Sequence, residues 1–328
     1  MPFELVPSGT HFDFIGKWRI AVAFSLALIL ASLIAVPIRG IRLGIDFAGG
    51  NEMIVQFEPG VPAEEGAIRG AVASVEGVEE PSVIRFGEVA DREFVIRFRG
   101  EAEPAIAPEA EPSEAEAGGA AGDEAGRGAV SDRFAQIESA LREQVGAVTV
   151  QRVEFVGPTV GEELQTDGML SIFWASLAIL AYIAFRFSSR YAPGAVVALI
   201  HDIAITCGAF VMLGLEFDLS VLAALLAILG YSLNDTIIIY DRIRENLELH
   251  TKAQLPEILN MSINQTLSRT LLTSGTTLIA VVILFALGGD VIRPFALAML
   301  IGIVIGTYSS IYIAAPIVMW LERRAAAR

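Results

Sequence analysis

The stretch ILGYSLNDTIIIYDRIREN, residues 228–246, decides how the rest of the chain is read. It is apolar for most of its length, yet it sets Asn234 and Asp235 side by side before ending in the charged cluster DRIREN. Crossing a hydrocarbon core of ~30 Å as a helix takes roughly 18 or more apolar residues. An aspartate near the centre of such a span costs about 2.5–3.5 kcal/mol on the insertion scale, so it needs a protein interior, a wet path or a partner.

The composition agrees with a membrane protein. The chain has 328 residues, of which 54% are hydrophobic, and its mean hydropathy is +0.58. A soluble chain of this length buries a core with less apolar content. The formal charge of −15 is uneven. In residues 101–128, eight acids face the single Arg127. No basic stripe is present, so a nucleic-acid partner is not expected. The one cysteine, Cys207, rules out an intrachain disulfide. No metal-ligand spacing accompanies it, so neither a metal nor a cofactor is expected.

Six spans are predicted: 18–36, 168–185, 192–213, 219–240, one within 262–287 and one within 291–321. The first has a basic approach, Lys17 and Arg19, but its apolar run is longer than a signal peptide's and no clean A-x-A site follows. It reads as an uncleaved anchor. Lys17 and Arg19, Arg186 and Arg190, Arg242, Arg244 and Lys252, and Arg323, Arg324 and Arg328 all fall on one side of the spans, and the alternate connections are poorer in base. This places both termini in the cytoplasm and residues 39–167 outside. The expected layout is therefore 1–38 with the first span, 39–167 as an external domain, and 168–328 with spans two to six.

The external region alternates as a small α+β fold. Strands are predicted at 52–57, 82–89, 93–99 and 148–156, with helices at 63–75 and 132–144. The order βαββαβ is ferredoxin-like. The acidic Ala/Glu/Gly/Pro stretch 101–128 lacks the apolar content to offset ordering entropy and is expected to be disordered.

Asp235 is the leading chemical candidate, either as a wetted or paired carboxylate or as part of a proton path. Arg269 is its available partner, about 10 Å into the fifth span, although it can also snorkel to the interface. Thr270, Thr273, Ser274, Thr276 and Thr277 line the same helix and are expected to bond across helices rather than hold water. His201 and Asp202 form a second polar pair, a relay candidate. Adjacent helical residues point about 100° apart, so the two are not expected to act as one hydrogen-bonded unit. Gly302 and Gly306 give a G-x-x-x-G packing face on the sixth span.

Six motifs in order carry a resemblance over nearly the whole chain. They are GIDFAGG (44–50), VGPTVGEEL (156–164), LIHDIAIT (199–206), the run from GLEFDL through SLNDT to DRIREN (214–246), QTLSRTLLTSGTT (265–277) and IGTYSSIYIAAP (305–316). Together they resemble the SecF branch of the SecD/SecF protein-export family, within the resistance–nodulation–division superfamily. The resemblance implies a six-helix membrane bundle in the cell inner membrane, with a periplasmic ferredoxin-like domain between helices one and two. It implies SecD as heterodimer partner and association with SecYEG, with YajC and YidC as further candidates. SecA would act before it, and an exported polypeptide would be moved at the expense of the proton-motive force. No catalytic reaction of its own is implied. The proton-conducting positions of the family fall on Asp235 and Arg269, beside Asn234. The first two motifs supply Gly44, Asp46, Gly49, Gly50, Gly157 and Gly161 as a structural join whose glycines permit unusual backbone angles. A small-molecule exporter of the same superfamily is the alternative, but such chains carry two halves. An intramembrane hydrolase lacks a nucleophile.

Overall fold

In the computed structural model, residues 10–86, 91–99, 121–187, 191–289 and 291–326 are described. The elements begin with α1 (Trp18–Arg39), β1 (Arg42–Leu43), α2 (Ile45–Ala48), β2 (Gly50–Phe57) and α3 (Glu65–Ala73). Then come β3 (Glu79–Phe86), β4 (Glu93–Arg99), α4 (Ala121–Gln144), β5 (Val148–Val156) and α5 (Pro158–Arg186). The remainder is α6 (Ala192–Leu213), β6 (Glu216–Phe217), α7 (Leu219–Leu249), α8 (Leu255–Leu287), α9 (Arg293–Ser309) and α10 (Ala315–Ala326). A π turn, Ser310–Ala314, joins α9 to α10, so the two form one sixth span. The chain divides into a helical unit, Met1–Leu43 with Thr166–Arg328, and a second unit, Gly44–Gln165.

Six helices in the described residues are long and apolar enough to cross a membrane. Their ends follow local chemistry. Asp218 caps α7 by accepting from the Val221 N–H at 2.7 Å. Gln254 and Glu257 form a capping box at the start of α8, with Pro256 in its first turn. Gly214 ends α6 in the left-handed region at φ 70°. Half of the most apolar window of α6 and of α7, and 56% of that of the sixth span, is buried. The figure is 11% for α1 and α5, so α6, α7 and the sixth span make the centre of the bundle and α1 and α5 lie at its rim.

Small residues let the central helices touch. A Cβ on Gly302 would lie 2.3 Å from Ile228, and one on Gly306 would lie 2.9 Å from the Ser232 Cβ. The G-x-x-x-G face therefore packs α9 against α7. At one end of the bundle, β1 pairs in parallel with β6 through Arg42↔Glu216 and Leu43↔Phe217. At the other, the segment before α1 is clasped by α8. Asn260 Oδ1 accepts from the N–H groups of Phe14 and Ile15, both at 2.9 Å, and Asn264 bonds both backbone groups of Phe12. A cavity of about 380 Å³ lined by Trp18, Arg19, Asn260 and Arg323 sits at this same end, so the start of α1 and the end of α10 meet there.

The second unit is the ferredoxin-like α+β fold. Its sheet is antiparallel in the order β3-β4-β2-β5. One face is closed by α3 and α4 through Phe57, Ile68, Val72, Phe94, Ile96 and Ile137. Each such fully buried side chain contributes about 1.5–3 kcal/mol. Alternation along β4 puts Phe94, Ile96 and Phe98 into this core and leaves Arg97 to pair with Glu52 of β2 at 2.6 Å. The helix expected at 132–144 begins at Ala121. Residues 121–128, part of the stretch expected to be disordered, lie in the first turns of that helix. The rest of the stretch expected to be disordered, 101–120, lies outside the described residues, as does the predicted end of the second strand at 87–89.

Candidate functional site

Asp235 rides on the buried stripe of α7, in register with Ser232, Ile239 and Tyr240 at helical spacing. It is 1% exposed. The facing stripe of α8 carries Ser262, Thr266, Thr270 and Ser274. Ser274 Oγ donates to Asp235 Oδ2 at 3.3 Å and shares a 2.8 Å hydrogen bond with Thr307 Oγ1 on α9. Asp235 Oδ1 has no hydrogen-bond partner, and neither has the Thr270 hydroxyl. A buried carboxylate oxygen without a donor is uncommon and calls for a functional account.

The expected meeting of Asp235 with Arg269 is not a direct one. Arg269 is exposed on α8, close enough to act on the carboxylate's charge but without an ion pair to it. Asn234, one position from Asp235, is also exposed, since a step of about 100° takes it off the buried stripe. The hydroxyls of α8 also differ from expectation. Of the five expected to bond across helices, Thr273, Thr276 and Thr277 bond back to carbonyls of their own helix, Thr270 has no partner, and Ser274 reaches across.

The second site is more completely bonded. His201 is 3% exposed and Asp202 fully buried. His201 Nδ1 lies 2.9 Å from Asp202 Oδ1, so the adjacent pair does form one hydrogen-bonded unit. The 100° between their Cβ directions is spanned by the reach of the imidazole and carboxylate, which sequence spacing alone does not show. Ser232 of α7 and Ser309 of α9 both donate to Asp202 Oδ2, at 2.5 and 2.8 Å. The other imidazole nitrogen lies 3.0 Å from Ser25 Oγ on α1. Ser25 donates to Tyr308 OH, and Tyr308 donates to the Ala21 carbonyl at 2.6 Å while its ring stacks on His201.

Sequence reasoning does not single out Ser25, Ser232, Ser309 or Tyr308, although the doublet Ser309–Ser310 in an apolar run is a signal. The π turn that follows is not visible there either. Single-turn π segments inside helices are frequent at functional positions. Here the turn presents the Ala314 carbonyl to Tyr240 OH at 3.3 Å. Gly194 makes room for this contact: a Cβ there would lie 2.3 Å from Tyr240 OH and 2.9 Å from the Ala314 oxygen.

In the second unit, GIDFAGG forms the single turn α2 and then reverses into β2, with Gly49 at φ 69° and Gly50 at φ 135°. Gly161 approaches this reversal so closely that a Cβ would lie 2.9 Å from Gly49 N. Asp46 lies in the first turn of α2. Gly44 is at φ −67° and Gly157 meets little, so these two do not depend on glycine's freedom. Among the described residues, no group of three His, Cys, Asp or Glu side chains is placed to hold a metal.

The family profile described as protein export membrane protein SecD/SecF, C-terminal, matches residues 136–324, and the SecD/SecF GG motif matches 34–61. The protein translocase subunit SecF of Rhodothermus marinus is 41% identical, over 97% of this chain and 96% of its own length. That of Magnetococcus marinus is 44% identical, over 95% and 93%. Among solved structures, SecDF of Thermus thermophilus, described as a translocon-associated membrane protein, superposes with a TM-score of 0.80 at 34% identity. The match covers 98% of this chain but only 40% of that one. A SecDF structure in a super-membrane-facing form gives a TM-score of 0.67 at 35% identity, over 41% of its length. With both profiles in place and SecF relatives matching nearly end to end, this chain belongs to the SecF branch of the SecD/SecF protein-export family.

Proposed function

We propose that the chain is the SecF half of a SecD–SecF assembly in the inner membrane, which uses the proton gradient to promote polypeptide export, with Asp235 as its proton-binding group. The observation that carries this reading is the unpartnered Oδ1 of a carboxylate sealed inside the bundle. A proton added there removes a charge and turns an acceptor into a donor. Ser274, which holds Asp235 on one side and Thr307 on the other, is the switchable element. With Asp235 charged, its hydroxyl proton points to the carboxylate. With Asp235 neutral, that proton is free to turn to Thr307 on the sixth span. One charge crossing the full field is worth ~2.3 kcal/mol per 100 mV, enough to bias such an element.

The missing half is supplied by a partner. The chain spans 40% of the solved SecDF chain, and Asn234 and Arg269 lie exposed within the spans formed by α7 and α8. A SecD helix is the reading that gives these polar groups a neighbour. The Lys/Arg distribution supports cytoplasmic termini and a periplasmic second unit. SecYEG, SecA and the exported chain are the partners this reading implies, with YajC and YidC alongside. The test is export into inverted membrane vesicles carrying Asp235→Asn with its SecD partner. Gradient-stimulated export is lost and the ATP-driven part is kept; undiminished stimulation by the gradient contradicts the proposal.

A further inference from the structure

The two buried carboxylates are linked by one closed circuit of hydrogen bonds and short helix segments. From Asp202 on α6, one branch runs through Ser232 to α7, where Asp235 follows three residues, or one turn, later. The other branch runs through Ser309, just before the π turn, back two residues along α9 to Thr307. Thr307 meets Ser274, and Ser274 meets Asp235, which closes the loop. Both branches leave from the same atom, Asp202 Oδ2, so one carboxylate oxygen sets the gap between α7 and the sixth span. Gly306 permits that gap, since any larger residue would strike Ser232. His201 holds the other oxygen and is itself held by Ser25 of α1. Around Asp202 both carboxylate oxygens are satisfied, and a buried network satisfied in this way is rigid.

We infer that Asp202, clamped by His201, is a positioning residue for the Asp235 site: it holds Ser232 and Ser309 so that Ser274 and Thr307 stand where they can answer a change at Asp235. Asp202 itself neither receives nor passes the transported proton. The inference rests on the reading of Asp235 as the proton-binding group and assigns that site its supporting frame. On the elements packed against α7, the charged or titratable groups within the spans are Glu257 and Arg269 of α8, His201, Asp202 and Cys207 of α6, and Arg293, Tyr308, Tyr312, Glu322, Arg323 and Arg324 of the sixth span. Removing the serine hydroxyls leaves all of these in place.

The test is an isotope-edited infrared titration of the aspartate carboxyl band in the full chain in membrane vesicles. Parent, Asp235→Asn, Ser309→Ala and the pair Ser232→Ala with Ser309→Ala are compared. The component read is the one that responds to the gradient, which is absent in Asp235→Asn. In the serine variants, its midpoint moves by about half a pH unit or more, because the donor set around the carboxylate is displaced. Ser25→Ala, which removes the hydroxyl shared by His201 and Tyr308 and touches neither Asp202 Oδ2 nor Ser274, moves it less. A midpoint unchanged in all the serine variants, with the Asp235 band present, overturns the positioning role and leaves the proton site standing. A gradient-responsive aspartate band that survives in Asp235→Asn overturns both. Should the double variant fail to fold, Ser309→Ala and Ser25→Ala decide between these outcomes in the same way.

Discussion

Asp202 and Asp235 are both sealed in the same bundle, at 0% and 1% exposure, yet they are bonded in opposite ways. Asp202 has a partner on each oxygen, three in all: His201, Ser232 and Ser309. Asp235 has one donor at 3.3 Å and one bare oxygen. A saturated carboxylate has nowhere to put a proton without breaking a bond. An unsaturated one gains a donor where it had nothing to lose. On the proposed reading, burial alone does not mark the proton-binding acid; incomplete satisfaction does.

This contrast fixes an order of effects. Asp202→Ala takes one partner each from two serine hydroxyls and an imidazole at once, and should cost about 3 kcal/mol or more in denaturant unfolding of the purified chain. A loss below ~1 kcal/mol would erase the distinction between the two sites. Gly194→Ala comes next, because its Cβ would press on Tyr240 OH and on the Ala314 carbonyl, which is backbone and does not move aside cheaply. A cost of about 1–3 kcal/mol is expected, read in the same unfolding assay. Asp235→Asn should stay within about 1 kcal/mol of the parent, since little bonding is removed, even as gradient-driven export is lost. A large destabilisation there would mean that Asp235, like Asp202, is structural.

The smallest effect belongs to a third aspartate. Asp13 is exposed, and its carboxyl is held below the usual range by the Gly16 N–H, then by Asn260 and Lys17. A group depressed in the folded state contributes stability that is present above its unfolded value of about 3.9 and lost as pH falls through the lower folded value. Protection of the Gly16 amide from exchange should thus hold at neutral pH and decline only under acid, below about pH 4. In Asp13→Asn, the protection should no longer vary with pH in that range.

Much of this is legible in the sequence. Length and apolarity mark the six spans, and period-two alternation marks the strands of the second unit. Asp235 stands out because a charge in an apolar run is expensive wherever it points. Where it points is not legible. Whether Arg269 and Asn234 face inward depends on the rotation of α7 and α8 in the bundle, which is set by packing against neighbours far off in sequence. The same holds for Ser25, whose partner His201 is 176 positions away. The π turn and the Asn260 clasp likewise arise from tertiary contacts, with no local pattern of their own. The doublet His201–Asp202 misleads for a different reason: Cβ directions do not measure the reach of whole side chains.

The most direct measurement compares the carboxyl infrared titrations of Asp235→Asn and Asp202→Asn with that of the parent, in energised and de-energised vesicles. The account predicts one aspartate band that titrates and responds to the gradient, absent in Asp235→Asn and retained, though displaced, in Asp202→Asn. A gradient-sensitive band that persists without Asp235 and vanishes without Asp202 would reverse the two roles and contradict the account.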